Sequence, residues 1–119
     1  MKVLFHVDVG SRWTMALGNI RNLLQYGRDT GTTFEIELVV NGPAVMELRP
    51  AAAEDAGLTD LFEVLAPDVR ICACNNALKS NGIPPQELFP FVQVVPAGVA
   101  ELVVRQQDGY AYILSLIHI

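Results

Sequence analysis

Five short apolar runs alternate with helical segments along the chain, and this alternation constrains the fold more than any other feature of the sequence. The runs predict strands over residues 3–7, 34–40, 69–73, 91–95 and 110–113. The segments between them predict helices over residues 13–26, 58–65, 75–80 and 98–107, with an interrupted helical stretch over 44–56. Consecutive parallel strands require such crossovers. The sequence therefore predicts an α/β fold in which helices cover the faces of a five-stranded parallel sheet.

The composition is typical of a fold that hides much of its surface. Hydrophobic residues make up 51% of the chain and charged residues only 18%, which is an apolar balance for a small domain with a high surface-to-volume ratio. A sheet that is covered on both faces needs many apolar positions, and contact with other subunits would hide more apolar surface. We expect both, and therefore a homo-oligomer.

A single domain is expected over residues 1–113, because a chain of 119 residues is close to the commonest domain size. Residues 114–119 are apolar where a chain end is usually polar. The tail could prolong the last strand or pack on a partner, but we favour the interpretation that it is a cloning or reading-frame scar. His118 therefore carries no functional argument.

Charge and hydropathy argue against several classes of protein. The net charge is -5 and the eight Lys and Arg residues are scattered singly, whereas nucleic-acid-binding proteins concentrate basic residues on one face. No apolar run approaches the ~20 residues that a membrane helix needs, and the N-terminus lacks the pattern of a secretory signal. We expect a cytoplasmic protein with reduced thiols that binds neither nucleic acid nor membrane.

Both cysteines, Cys72 and Cys74, fall where the third predicted strand meets a helix. Ligands gather at the carboxyl ends of strands in parallel α/β domains, so a thiol there is placed to react. Cys72 lies inside the strand and is predicted to pack as a small apolar residue. Cys74 has two interpretations. It is either structural, or a reactive thiol at a helix N-terminus, where the positive end of the helix dipole favours the thiolate.

The spacing of the two cysteines also argues against other thiol chemistry. It is C-x-C, whereas thioredoxin-like redox sites use C-x-x-C. A zinc site needs about four ligands, and two cysteines with His6 are too few unless subunits share one. We therefore expect neither a metal nor a cofactor.

Polar side chains follow the other predicted strands. His6 and Asp8 end the first strand and share a face if the strand continues. A carboxylate can orient an imidazole and keep it protonated, and an imidazolium can activate a nearby thiol. Asn41 follows the second strand, and Asn76 offers an amide beside Cys74. The alternative is a hydrogen-bonded core histidine, a helix-capping aspartate and asparagines that stabilise turns.

Several segments of the chain resemble the DsrE/DsrF-like family: FHVD (5–8), NIRNLL (19–24), VVNGPAV (39–45), CNNAL (74–78), PAGVAEL (96–102) and GYAYI (109–113). The resemblance implies a three-layer α/β/α domain with a five-stranded parallel sheet, and assembly as a trimer or hexamer. Some relatives act in sulfur oxidation or sulfur relay, where a cysteine carries persulfide sulfur between proteins. Cys74 matches the position of that cysteine.

Three functions remain open at this point. The first is a cytoplasmic sulfur carrier with sulfurtransferase-like activity, which holds a persulfide on Cys74 and exchanges sulfur with a donor or acceptor protein. The second is a non-enzymatic, oligomeric binding module with a pocket formed by His6, Asp8, Asn41 and Asn76. The third is a subunit whose only role is assembly. If strands one and three are neighbours, His6 reaches Cys74. The order that the resemblance implies, with strand two between them, brings His6 nearer to Asn41.

Overall fold

The computed structural model of the protein describes residues 1–114. Residues 115–119, which hold most of the predicted tail, lie outside the described residues. The centre of the fold is an all-parallel sheet in the order β4-β3-β2-β1-β5. Its strands are β1 (Lys2–Val7), β2 (Glu35–Val40), β3 (Val69–Cys74), β4 (Val92–Val95) and β5 (Ala111–Leu114). The predicted five-stranded parallel sheet is confirmed.

Five α-helices connect or follow the strands: α1 (Trp13–Thr30), α2 (Pro50–Asp55), α3 (Thr59–Leu65), α4 (Asn75–Ser80) and α5 (Gly98–Gln107). Short 3-10 helices cover Gly10–Arg12, Gly42–Leu48, Ala66–Asp68 and Pro85–Glu87. Within residues 1–114, no helix is both long enough and apolar enough to cross a membrane.

Different helices pack on the two faces of the sheet. One face carries the main core, in which Phe5 and Leu38 pack with Trp13 of α1 and Phe62 of α3. On the other face Leu4 and Val39 pack against Leu102 of α5. Helices thus cover both faces, as expected for a three-layer α/β/α domain.

Trp13 fixes the segment that follows β2. Its indole nitrogen donates to the backbone carbonyl of Ala44 over 3.1 Å, and its ring meets that of Phe62 edge to face at 5.0 Å between centroids. The helix Gly42–Leu48 is thereby held against α1. It is a 3-10 helix, where the sequence predicted the start of an interrupted helix.

Several element ends differ from the predictions. The sequence offered Gly27 or Gly31 as the end of helix α1, and Gly31 ends it, in a left-handed conformation with φ of 71°. Strand β3 extends to Cys74, which pairs with Val95 of β4. Strand β5 reaches Leu114, which pairs with His6. The last strand therefore extends one residue past the predicted domain boundary at 113.

Candidate functional site

Cys74 lies at the carboxyl edge of the sheet, where β3 ends and α4 begins. Its side chain is buried, and it lines a cavity of about 410 Å³ that opens to solvent. Three segments form this cavity: the residues after β2 (Asn41, Gly42, Pro43), helix α4 and the residue after it (Asn76, Ala77, Ser80, Asn81), and the start of α5 (Ala97, Gly98, Val99). Among the described residues its lining carries no charged side chain, and its polar groups are amides and one hydroxyl.

Gly98, at the start of α5, packs against both Cys74 and Asn41. A Cβ atom on Gly98 would lie 3.1 Å from Cβ of Cys74 and 3.2 Å from Cβ of Asn41. The first turn of α5 therefore packs directly on both side chains because it has no side chain there. Gly98 belongs to a segment that carried the family resemblance, but the sequence analysis did not select it as a site residue.

Asn41 is the link between this cavity and β1. Its Oδ1 atom lies 2.8 Å from Nε2 of His6, across the pairing of β1 with β2. Because β2 lies between β1 and β3, His6 contacts Asn41 rather than Cys74. The strand order that the resemblance implied is the one observed, and His6 does not line the cavity.

Tyr112 of β5 completes this arrangement. Its hydroxyl lies 2.6 Å from Nδ1 of His6, and the two rings are 5.8 Å apart between centroids. Burial, together with the charge of Asp8, raises the pKa of Tyr112. Tyr112 is not among the site residues selected from the sequence, since its contact with His6 depends on β5 lying beside β1.

Asp8 forms a different contact from the expected one. Its carboxylate pairs with Arg12 over 2.9 Å between Oδ1 and Nη1, and the cavity lining does not include it. The described hydrogen bonds of His6 go to Asn41 and Tyr112 instead. The expected contact between His6 and Asp8 is therefore absent from the hydrogen bonds and ion pairs of residues 1–114.

Asn76 is exposed on α4 and lines the same cavity as Cys74. Of the five residues selected from the sequence, the structure thus brings Cys74, Asn41 and Asn76 together, with His6 behind Asn41 and Asp8 apart from them. Ser80, one turn further along α4, also lines the cavity. The sequence analysis did not select it.

A second polar cluster lies under α5, on the same face of the sheet as Cys72. Glu37 of β2 is 1% exposed, which is unusual for a carboxylate. Its Oε1 atom lies 3.1 Å from Nε of Arg70 and 3.2 Å from Nε of Arg105. Arg105 also pairs with Glu101 over 3.2 Å. The guanidinium groups thus compensate a carboxylate that lies in the centre of the sheet.

Burial has the largest effect on the pKa of Glu37. Desolvation and the neighbouring charge of Glu101 raise the pKa of Glu37 to about 7, against the opposing effect of Arg105 and Arg70. Burial also raises the pKa of the Cys72 thiol, although Arg70 donates a hydrogen bond to its sulfur over 3.4 Å. Cys72 is 0% exposed, in agreement with its predicted packing role.

Within residues 1–114 one group of potential metal ligands lies close together. One ligand atom each from Glu37, Cys72 and Glu101 falls within 4.8 Å of the others. Two guanidinium groups already face these carboxylates, and a metal ion placed there would be repelled by them. We therefore interpret the cluster as a buried ion-pair network.

Comparisons with known proteins agree with this architecture. The chain is similar to a solved structure described as a protein of unknown function, MTH1491, from Methanobacterium thermoautotrophicum. The TM-score is 0.80 at 35% sequence identity, over 95% of this chain and 97% of that chain. No curated protein matches significantly. The model of the DsrE/DsrF-like family matches residues 1–114. The chain therefore belongs to the DsrE/DsrF-like family.

Proposed function

We propose that the protein is a sulfur carrier with sulfurtransferase-like activity, and that Cys74 holds the carried sulfur as a persulfide. The observation that carries this proposal is the position of Cys74, which ends a central strand and lines an open cavity among neutral hydrogen-bond donors. Membership of a family with sulfur-relay members supports it. The activity itself is argued from the site, because a fold does not define a reaction.

The proposed reaction moves one sulfane sulfur between thiols. The Cys74 thiolate attacks the outer sulfur of a donor persulfide, so that a new S–S bond forms on Cys74 while the S–S bond of the donor breaks. The donor leaves as a thiolate, which takes up a proton. In the second half-reaction an acceptor thiolate attacks the outer sulfur of the Cys74 persulfide and releases Cys74 as a thiolate. No net oxidation or reduction occurs.

The cavity suits the anions that this reaction forms. Asn41, Asn76 and Ser80 line it and offer hydrogen-bond donors, and donors aimed at developing negative charge stabilise it where water is partly excluded. Among the described residues no carboxylate lines the cavity to oppose an anion. The terminal sulfur of a persulfide would extend from Cys74 into this space.

The carrier would work in a reducing compartment, for which the cytoplasm is our proposal, since free thiols persist there. We also propose a homo-oligomer, as a trimer or hexamer. Val99, Val103 and Val104 of α5 are 68%, 55% and 57% exposed, and such apolar positions favour contact with another subunit. Light scattering of the purified protein measures the subunit number, and a monomer would contradict this assembly.

The experiment that tests the carrier is sulfur loading followed by intact mass measurement. Incubation with a low-molecular-weight persulfide should add the mass of one sulfur atom to the wild-type protein. The Cys74→Ser variant should not gain it, whereas Cys72→Ser is the matched control and should load as the wild type does. Absence of loading in the wild type, or equal loading in Cys74→Ser, would reject the proposal.

A binding module is the second candidate, and the uncharged cavity favours it. Asn41 and Asn76 line that cavity, while His6 stands behind Asn41 and Asp8 lies outside. A small neutral metabolite would then be the ligand. Thermal stabilisation by such a compound that persists in Cys74→Ser would favour this function over the carrier.

A further inference from the structure

We propose that Tyr112 and His6 are positioning residues, which hold the Asn41 side chain so that its amide group donates to the sulfur anion at Cys74. This inference deepens the proposed function and rests on it for the identity of the anion. The three residues form one hydrogen-bonded chain that runs from the edge strand β5 through β1 to the end of β2.

The direction of these hydrogen bonds follows from which atoms can donate and which can only accept. The Oδ1 atom of Asn41 is an acceptor only, so the Nε2 atom of His6 at 2.8 Å must carry the hydrogen. In the neutral ring Nδ1 is then an acceptor, and the Tyr112 hydroxyl at 2.6 Å donates to it. Partial desolvation and the charge of Asp8 raise the pKa of Tyr112, which favours the phenol as the donor. The two contacts together, with Asn41 as the acceptor and Tyr112 as the donor, therefore match the Nε2–H tautomer of His6.

The His6 contact in turn determines which end of the Asn41 amide faces the cavity. With Oδ1 held by His6, the Nδ2 atom points the other way. The Cβ position of Gly98 lies 3.5 Å from Nδ2 of Asn41 and 3.1 Å from Cβ of Cys74. The Nδ2 atom and Cys74 thus border the same space, which Gly98 leaves open because it has no side chain. A rotated amide would present its oxygen there and repel an anion.

His6 can act on the site without contacting the thiol, because it fixes the orientation of the Asn41 amide. A free asparagine can rotate its amide, and each orientation presents the opposite end of a dipole to the cavity. The hydrogen bonds through His6 remove that rotational freedom. Preorganised donors stabilise an anion without reorganisation at the moment of reaction, and Tyr112 supplies this preorganisation from a strand that does not touch the cavity.

The first test measures the His6 tautomer directly by nitrogen-15 NMR. The wild-type ring should show the Nε2–H tautomer at neutral pH, with the His6 signals assigned by their loss in His6→Gln. Tyr112→Phe should yield a mixture of tautomers. A wild-type ring in the Nδ1–H tautomer, or an unchanged tautomer in Tyr112→Phe, would overturn the inference. This measurement does not depend on sulfur transfer.

The second test measures the rate at which iodoacetamide alkylates Cys74. Loss of one positioning hydrogen bond should slow alkylation of Tyr112→Phe about two- to tenfold. Asn41→Asp should slow it further, because it keeps the acceptor for His6 and replaces the donor beside Cys74 with a carboxylate. The matched control is Tyr110→Phe, which loses only a 2.6 Å hydrogen bond to Glu35 and should react as the wild type does.

The two proposals fail in different ways. Slower alkylation in Tyr112→Phe and Asn41→Asp, combined with no sulfur loading of the wild type, would support positioning and reject the carrier. Normal sulfur loading combined with wild-type alkylation rates in both variants would support the carrier and reject positioning. Circular dichroism of each variant separates these outcomes from a loss of folding.

Discussion

The backbone carbonyl of Asp8 lies directly against Gly42. A Cβ atom on Gly42 would lie 2.7 Å from that oxygen, and Gly42 has a φ of 56°. Glycine is needed here for two reasons, because the left-handed conformation disfavours a side chain and the adjacent strand end leaves no space for one. This contact fixes the turn that carries Asn41.

Gly42→Ala should therefore destabilise the protein by about 2–4 kcal/mol, as the sum of a left-handed backbone penalty and a steric contact. The matched control is Gly57→Ala. Gly57 has a φ of 72°, and within residues 1–114 no atom beyond its chain neighbours lies within 4 Å of the added Cβ. This variant should cost only the backbone penalty of about 1–2 kcal/mol. Urea unfolding measures both, and equal losses would contradict the proposed close contact.

Gly98→Ala should slow the alkylation of Cys74, because the added methyl group would enter the narrow space between Cys74 and Asn41. Its control is Gly18→Ala in α1, where no described atom outside the local helix backbone lies within 4 Å of the added Cβ. That variant should gain about 0.5–1 kcal/mol of stability from helix propensity and leave the alkylation rate unchanged. Wild-type reactivity of Gly98→Ala would show that the cavity tolerates a methyl group there.

The two cysteines should differ in reactivity in the folded protein. Cys72 is 0% exposed and burial raises the pKa of its thiol, whereas Cys74 is 7% exposed and lines an open cavity. Brief treatment with iodoacetamide should modify Cys74 alone, and treatment in denaturant should modify both. Peptide mass spectrometry measures the two sites separately. Modification of Cys72 before Cys74 in the folded protein would contradict the burial of Cys72.

Glu37 should make the stability of the protein depend on pH. Its pKa is raised from 4.5 to about 7 in the folded state, so between these pH values the folded protein binds more protons than the unfolded chain does. Raising the pH through this window therefore lowers the free energy of unfolding, by at most about 1.4 kcal/mol per pH unit from this group.

Urea unfolding of the wild type and Glu37→Gln at several pH values between 4.5 and 7 measures this effect. The variant should lose the downward slope that Glu37 contributes, whatever its absolute stability. Glu63→Gln, on the exposed surface of α3, should leave the slope in place. A slope that is the same in Glu37→Gln and the wild type would contradict the raised pKa.

Local sequence pattern was sufficient to predict the sheet and most of its elements. The apolar runs and the helical spacing depend on neighbouring residues, and the strand-to-helix junction at Cys74 was predicted to within one residue. The element ends were less accurate. Residues 42–48 form a 3-10 helix because Trp13 holds the carbonyl of Ala44, a contact between residues far apart in the sequence.

The site depended on long-range order that periodicity does not encode. Asn41 and Cys74 meet because β2 and β3 pair, and Tyr112 reaches His6 because β5 pairs with β1. The resemblance supplied the strand order that brings His6 to Asn41. The environment of Glu37 likewise depends on residues far away in the sequence, since Arg70 on β3 and Arg105 on α5 pair with its carboxylate. On α5, similarly, Leu102 is buried whereas Val99 and Val103 are exposed.

The continuity of β3 through both cysteines has a consequence for the chemistry of a loaded sulfur. Cys72 and Cys74 are two positions apart on an extended strand, so their Cα atoms are about 6.6 Å apart. This distance is close to the upper limit for a disulfide. Cys72 is also fully buried. The chain has no third cysteine. Cys72 would therefore be a poor resolving thiol for the proposed persulfide on Cys74, because burial raises the pKa of its thiol. We expect the carried sulfur to leave to a second molecule.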